Sequence, residues 1–241
     1  MGDTHMGITA ENLAEKYNIS REEQDELAAE SHRRAQKAQE GGYFDSQILP
    51  VEIKTRKGSV IFDKDEHVRN DMTADSVSGM RPAFKKDGTV TPANASSISV
   101  CAAAVVLNSE AEADRRGLTV RARILGHASH AQEPAWFTTA PVPAAQKLLK
   151  QIGWNVDDVD LWEVNEAFAV VPMAFMQDMG IAREKMNVNG GACALGHPIG
   201  ASGTRIIVTL LNALEKRGLK RGVAAICIGG GEGTAIAIER P

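Results

Sequence analysis

The run Leu161-Trp162-Glu163-Val164-Asn165-Glu166-Ala167-Phe168-Ala169 carries the clearest structural information in the chain. Its apolar start reads as the end of a strand near residues 159–163. A helix is expected from about residue 166 to 179, stopped by Gly180. Downstream, a glycine-rich loop at 190–203 leads into a helix ending near Arg217-Gly218. Two strands, 223–228 and 234–239, follow, joined by glycines over 229–233. Upstream, residues 143–152 read as a helix with proline in its first turn, and residues 120–125 as a strand. Ser109-Glu110-Ala111-Glu112 is a capping box for a helix closed by Gly117. The continuous apolar run at 102–107 predicts a strand covered on both faces. This alternation predicts an α/β fold.

The first hundred residues are less regular. Ser20-Arg21-Glu22-Glu23 is a capping box, and its helix is expected to reach Gly41-Gly42 with Leu27, Ala28, Ser31, Ala35 and Ala38 as its buried face. Residues 48–53 read as a short edge strand containing Pro50. Residues 55–92 read as a long polar loop, functional or mobile.

Composition narrows the function. At 241 residues and 43% hydrophobic, the chain can bury a sizeable core. A net charge of -4 argues against nucleic acid as a partner. The apolar runs are too short or interrupted to cross a bilayer, and the polar start Met1-Gly2-Asp3-Thr4-His5 does not read as a signal peptide, so none is expected. Cys101, Cys193 and Cys227 have no metal-ligand spacing and are poor material for a disulfide framework, so a reducing cytoplasm is expected.

Three motifs carry chemistry. Cys227 ends an apolar strand and opens onto Gly229-Gly230-Gly231, whose bare N–H groups suit an oxyanion; a thiol there moves a proton if its pKa is lowered. It is equally read as a buried structural cysteine. His197 lies in Gly196-His197-Pro198-Ile199-Gly200, as a catalyst or as filler in a glycine loop. No lysine follows these glycines, which argues against a P-loop, and neither Gly196–Gly203 nor Gly229–Gly233 has the dinucleotide Gly-x-Gly-x-x-Gly spacing. Asn165 reads as a helix N-cap or as the holder of a water. Glu166 reads as a dipole partner or as an anchor for neighbouring side chains. Cys101, at the entry to the 102–107 strand, reads as a core thiol.

In this order the three motifs resemble those of the thiolase family, the acyl-CoA acyltransferases. His5-Met6-Gly7-Ile8-Thr9-Ala10-Glu11-Asn12, Arg81-Pro82-Ala83-Phe84 and Asp87-Gly88-Thr89-Val90-Thr91 with Asn94-Ala95-Ser96 extend the resemblance over essentially the whole chain. It implies a layered α-β-α-β-α fold, here incomplete: 1–91 as part of the loop domain, 92–117 as the last helix and strand of the N-terminal half, and 118–241 as the complete C-terminal half. The strand at 102–107 is then expected to expose an edge and an apolar face through which copies associate.

The resemblance also implies reversible Claisen condensation of acetyl-CoA, or thiolysis of a 3-ketoacyl-CoA, with no metal and no cofactor beyond the coenzyme A thioester. His197 would activate the nucleophile and, with a water on Asn165, form one oxyanion hole. Cys227 would move the α-carbon proton, and Gly229 N–H would give half of a second hole. His5, Met6, Arg69, Ser76, Phe84, Ser96, Ala167 and Phe168 would contact coenzyme A. The family's nucleophilic cysteine belongs to the N-terminal half, upstream of these residues, so activity is expected to need that half, possibly as a separate chain, in a homo-oligomer. The alternative is a non-catalytic CoA-binding or scaffold remnant. One departure stands out: the family follows Asn-Ala-Ser with Gly, an apolar residue, Asn, Asp and Gly, whereas this chain has Ser97-Ile98-Ser99-Val100-Cys101.

Overall fold

The computed structural model describes residues 4–241; the first three residues of the polar start lie outside it. Helices α1 (Met6–Tyr17) and α2 (Arg21–Glu40) open the chain, followed by a hairpin, β1 (Val51–Thr55) and β2 (Gly58–Phe62), and a single turn, α3 (Ala74–Val77). After a long irregular stretch come α4 (Glu110–Arg116), β3 (Arg123–Ala131), α5 (Pro141–Ile152), β4 (Leu161–Val164), α6 (Val170–Met179), α7 (Ala192–Leu195), α8 (Ser202–Arg217), β5 (Arg221–Ile228) and β6 (Glu232–Glu239). Among the described residues no helix is long and apolar enough to cross a membrane.

The C-terminal strands form one sheet in the order β3-β6-β5-β4, with β4 and β5 parallel and the other pairs antiparallel. Period-two alternation sorts the side chains between two helix layers. Trp162, Val164, Val223, Ala225, Ala235 and Ala237 pack with Leu148 of α5 and Phe175 of α6. Leu161, Ala224 and Ile238 pack with Ile206, Leu210 and Leu214 of α8. Cys227 stays in phase with Val223 and Ala225, on the α6 side, where it joins Phe168, Val170 and Val171. The same alternation turns Glu163 toward α8, where it pairs with Arg205 at 3.2 Å.

Local signals set several boundaries as expected. Ser20 and Glu23 close a full capping box, the five expected positions of α2 are buried, and left-handed glycines stop helices at Gly117, Gly180 and Gly218. The left-handed residue after α2 is Gly42, one position beyond its cap.

Four expectations are corrected. Residues 102–107 form no strand, and Val106 is 91% exposed, because among the described residues no strand pairs with the stretch. Cys101 is therefore exposed rather than a core thiol. The edge strand begins after Pro50, not at residue 48, and pairs with β2 inside the stretch read as loop. Helix α6 starts at Val170 with Ala169 as its cap, so Asn165 is not an N-cap. Residues 165–169 are instead held outside the helix by Asn165 N–H to Ala225 O (3.0 Å), by Ala169 N–H to Asn94 O (2.8 Å) and by a bridge between Phe168 and Ala95. Tertiary pairing there overrides local helix propensity.

Candidate functional site

The segment 165–169 between β4 and α6 delivers its side chains to two neighbouring environments. On one side, Asn165 Nδ2 stands 3.5 Å from His197 Nε2, and His197 Nδ1 is 2.6 Å from Ser202 Oγ. The Ser202 hydroxyl donates its one proton to Pro198 O at 3.0 Å, so it accepts from Nδ1–H. This fixes the imidazole tautomer and leaves the Nε2 lone pair on the Asn165 side as the free base. Burial, with the Arg205 charge, holds His197 below the ordinary histidine value, so it is neutral at pH 7. Ser202, absent from the residues expected to matter, had one sequence signal: a hydroxyl in the first turn of the helix after the Gly-His-Pro loop.

The backbone at His197 is pinned from both sides. Its N–H donates to Ser97 O at 2.9 Å. Gly196 has φ +87°, and a Cβ there would lie 1.9 Å from Ser99 Oγ, so only glycine lets the loop pass. Asn165 Oδ1 is buried and accepts no hydrogen bond from the described residues, so it is free for a water or a substrate donor.

The second environment is apolar. Phe84 stacks on the His5 ring at 4.7 Å and meets Phe168 edge-on at 6.2 Å. Met6, Ala167 and Cys227 pack in the same cluster. Ser96 donates from both its N–H (3.1 Å) and its hydroxyl (2.9 Å) to Ala167 O. His5 Nδ1 also caps α1 by accepting from Gly7 N–H. Gly229 sits at the turn after β5, its missing Cβ facing Met6 Sδ, and its N–H donates to none of the described residues. Met6, Phe84, Ser96, Ala167, Phe168, Cys227 and Gly229 thus converge, with His5 at the rim.

Arg69 and Ser76 stand apart, with no hydrogen bond or ion pair joining them to this cluster among the described residues. Arg69 is exposed, its N–H bonded to His32 Nδ1 at 3.0 Å. Burial, and then the Arg69 charge, push His32 down to about 4, which keeps that nitrogen an acceptor. The Ser76 hydroxyl is spent on its own capping turn.

Cys227 departs from a condition set on sequence grounds. Burial pushes its thiol up to about 12, so it is protonated at neutral pH and poised to give a proton rather than take one. Cys193 is also buried and raised, with the Glu166 charge adding to the burial.

Glu166 anchors the site. It is buried and accepts from Ser31 Oγ (2.7 Å), Asn187 Nδ2 (2.8 Å) and Cys193 N–H (3.0 Å), tying α2, α7 and the end of β4 together. A Cβ on Gly191 would fall 2.2 Å from its carboxyl carbon, so glycine permits the approach. Glu166→Ala strands three donors and is expected to cost about 3–5 kcal/mol of stability. Urea unfolding measures this; a loss under about 1 kcal/mol would show that the anchor is dispensable.

Comparison with known proteins gives a consistent pattern. The family description "Thiolase, C-terminal domain" matches residues 118–240 and "Thiolase, N-terminal domain" matches residues 1–111. An acetyl-CoA acetyltransferase from Chromobacterium violaceum is 52% identical over 238 residues, 98% of this chain and 61% of that protein. The crystal structure of the Bacillus anthracis acetyl-CoA acetyltransferase superposes with a TM-score of 0.98 at 48% identity, covering 100% of this chain and 61% of that one. Human mitochondrial 3-ketoacyl-CoA thiolase in complex with CoA superposes with a TM-score of 0.90 at 40% identity, covering 98% of this chain and 59% of that one. The chain therefore spans about 60% of the length of these relatives.

Proposed function

Since the chain belongs to the thiolase family, we propose that it supplies the acid–base and oxyanion machinery of an acetyl-CoA C-acetyltransferase, with acetyl-CoA, acetoacetyl-CoA or a related 3-ketoacyl-CoA as substrate. The observation that carries this reading is the Asn165–His197–Ser202 chain, which a passive CoA-binding remnant would not need. In thiolysis, neutral His197 takes the proton of the nucleophilic cysteine on Nε2, and the resulting Nε2–H, with a water on Asn165, faces the thioester oxyanion. The nucleophile bonds to the 3-keto carbon and the bond between the α and β carbons breaks. The electron pair left on the α carbon of the departing acetyl-CoA takes the Cys227 proton, and a second CoA thiol then releases the acyl group. Condensation runs the same steps backward.

Side chains and CoA thioesters suffice for this sequence, so no further cofactor is invoked. The nucleophile is proposed to come from the N-terminal half of the fold, in the same or another chain. Free thiols at Cys101, Cys193 and Cys227 accord with a reducing cytoplasm.

In the intact enzyme, His197→Ala and Asn165→Ala are each expected to lower kcat for acetoacetyl-CoA thiolysis roughly 10²–10³-fold, the scale for one lost oxyanion donor, with smaller changes in KM. Unchanged kcat in His197→Ala would remove the reading.

A further inference from the structure

Glu163 and Arg205 take no part in the steps above, yet they form a buried charged contact close to His197. Their side chains are 2% and 14% exposed, and Arg205 Nη1 donates to Glu163 Oε1 at 3.2 Å. Arg205 Nε and Nη2 are also buried and meet no acceptor among the described residues. Burying such a pair costs about as much as its attraction returns, and apolar residues of similar size often stabilise a fold as well or better. Stability alone therefore gives no reason for these charges.

Their placement supplies one. Two polar rungs cross the gap between β4 and α8. Asn165, His197 and Ser202 form the first, at 3.5 and 2.6 Å, and Glu163 with Arg205 forms the second. Glu163 stands two residues before Asn165, and Arg205 three residues after Ser202 on the same helix face. The other charged or titratable groups near the rungs are Glu166 past β4, Arg217 on α8, and Asp65, His67 and Cys101 on the segments facing Arg205 and Gly196. Of these, Arg205 is the one whose charge bears on the His197 ring. Burial pushes the Glu163 carboxyl up to about 8 against the pull of Arg205, so the guanidinium charge is incompletely cancelled at neutral pH.

We infer that Glu163 and Arg205 are positioning residues for His197: the carboxyl holds the guanidinium near the Ser202 end of the imidazole, where its fixed charge opposes a second ring proton and keeps Nε2 open toward Asn165. This deepens the proposed role of His197 as the base and rests on it. A neutral ring can take the proton of the nucleophilic cysteine, whereas an imidazolium cannot.

An NMR titration of the histidine rings in the full chain tests this, with the His197 signals assigned by their loss in His197→Gln. Two variants remove the charge: Arg205→Gln, and Glu163→Leu combined with Arg205→Met, which replaces the pair by apolar groups of similar size. Both should raise the proton affinity of His197 about tenfold. Arg205→Lys keeps the charge, and Glu163→Gln keeps an oxygen for the guanidinium, so neither should raise it more than about twofold. Circular dichroism verifies the fold of each variant. No rise in the charge-removing variants that fold, or an equal rise in Arg205→Lys or Glu163→Gln, would overturn the assignment. The titration needs no turnover. If it moves as expected while the acid limb of thiolysis by the intact enzyme stays in place, the proposed function fails and the effect of the pair on His197 stands.

Discussion

Assayed as an isolated 241-residue polypeptide, the chain is expected to cleave acetoacetyl-CoA no faster than background. The reason lies in its three cysteines. Cys193 is buried behind Glu166 with its thiol held protonated. Cys101 is exposed, and local desolvation with the Asp65 charge raises its thiol above the ordinary value. Cys227 is buried, protonated and assigned to proton transfer. None has the depressed pKa of an activated nucleophile. Loss of a covalent nucleophile costs on the order of 10⁶-fold in kcat elsewhere. Addition of an N-terminal half from a relative, with its nucleophilic cysteine, should restore turnover. The assay follows loss of acetoacetyl-CoA with polypeptide verified by intact mass. Thiolase-like rates that disappear in Cys101→Ser or Cys193→Ser would refute the assignment.

In the assembled enzyme, Cys227→Ala should lower kcat by about 10²–10⁴-fold, the contribution of a positioned proton-transfer group. Binding should suffer less, because alanine keeps the packing at the end of β5 and removes only the sulfur. Half-reactions separate the roles. Acyl transfer to the nucleophile depends on His197, so an acyl-enzyme should still be trapped from acetyl-CoA in Cys227→Ala and be lost in His197→Ala. Mass spectrometry of the quenched enzyme, beside steady-state kinetics, reads both. Near-normal turnover in Cys227→Ala would reject Cys227 as the proton carrier.

How much was legible in advance follows from the range of the interactions. Helix ends read well because caps are local: Ser20 meets Glu23 three residues on, and Gly117, Gly180 and Gly218 need only their own backbone angles. The motif residues Asn165, His197 and Cys227 stand out in the sequence because each lies at the end of a strand or beside glycine. Residues 102–107 misread because a strand is a property of its neighbours. An apolar run shows that burial is favourable, but not that a partner is there to bury it. The same reason hid β2, whose five residues pair only through the turn at Arg56-Lys57.

From sequence alone came the α/β class, most of the elements, and the residues that meet around Phe168 and His197. Tertiary structure alone decided their chemical state. Ser202 sets the His197 tautomer, and burial by α6, Phe137 and α1 sets the protonation of Cys227. Glu166 became an anchor only when Ser31, 135 positions away, and Asn187 reached it. Spacing along a chain records which groups are present. Protonation and hydrogen bonding depend on local dielectric and on partners brought together by folding, which no short window of sequence contains.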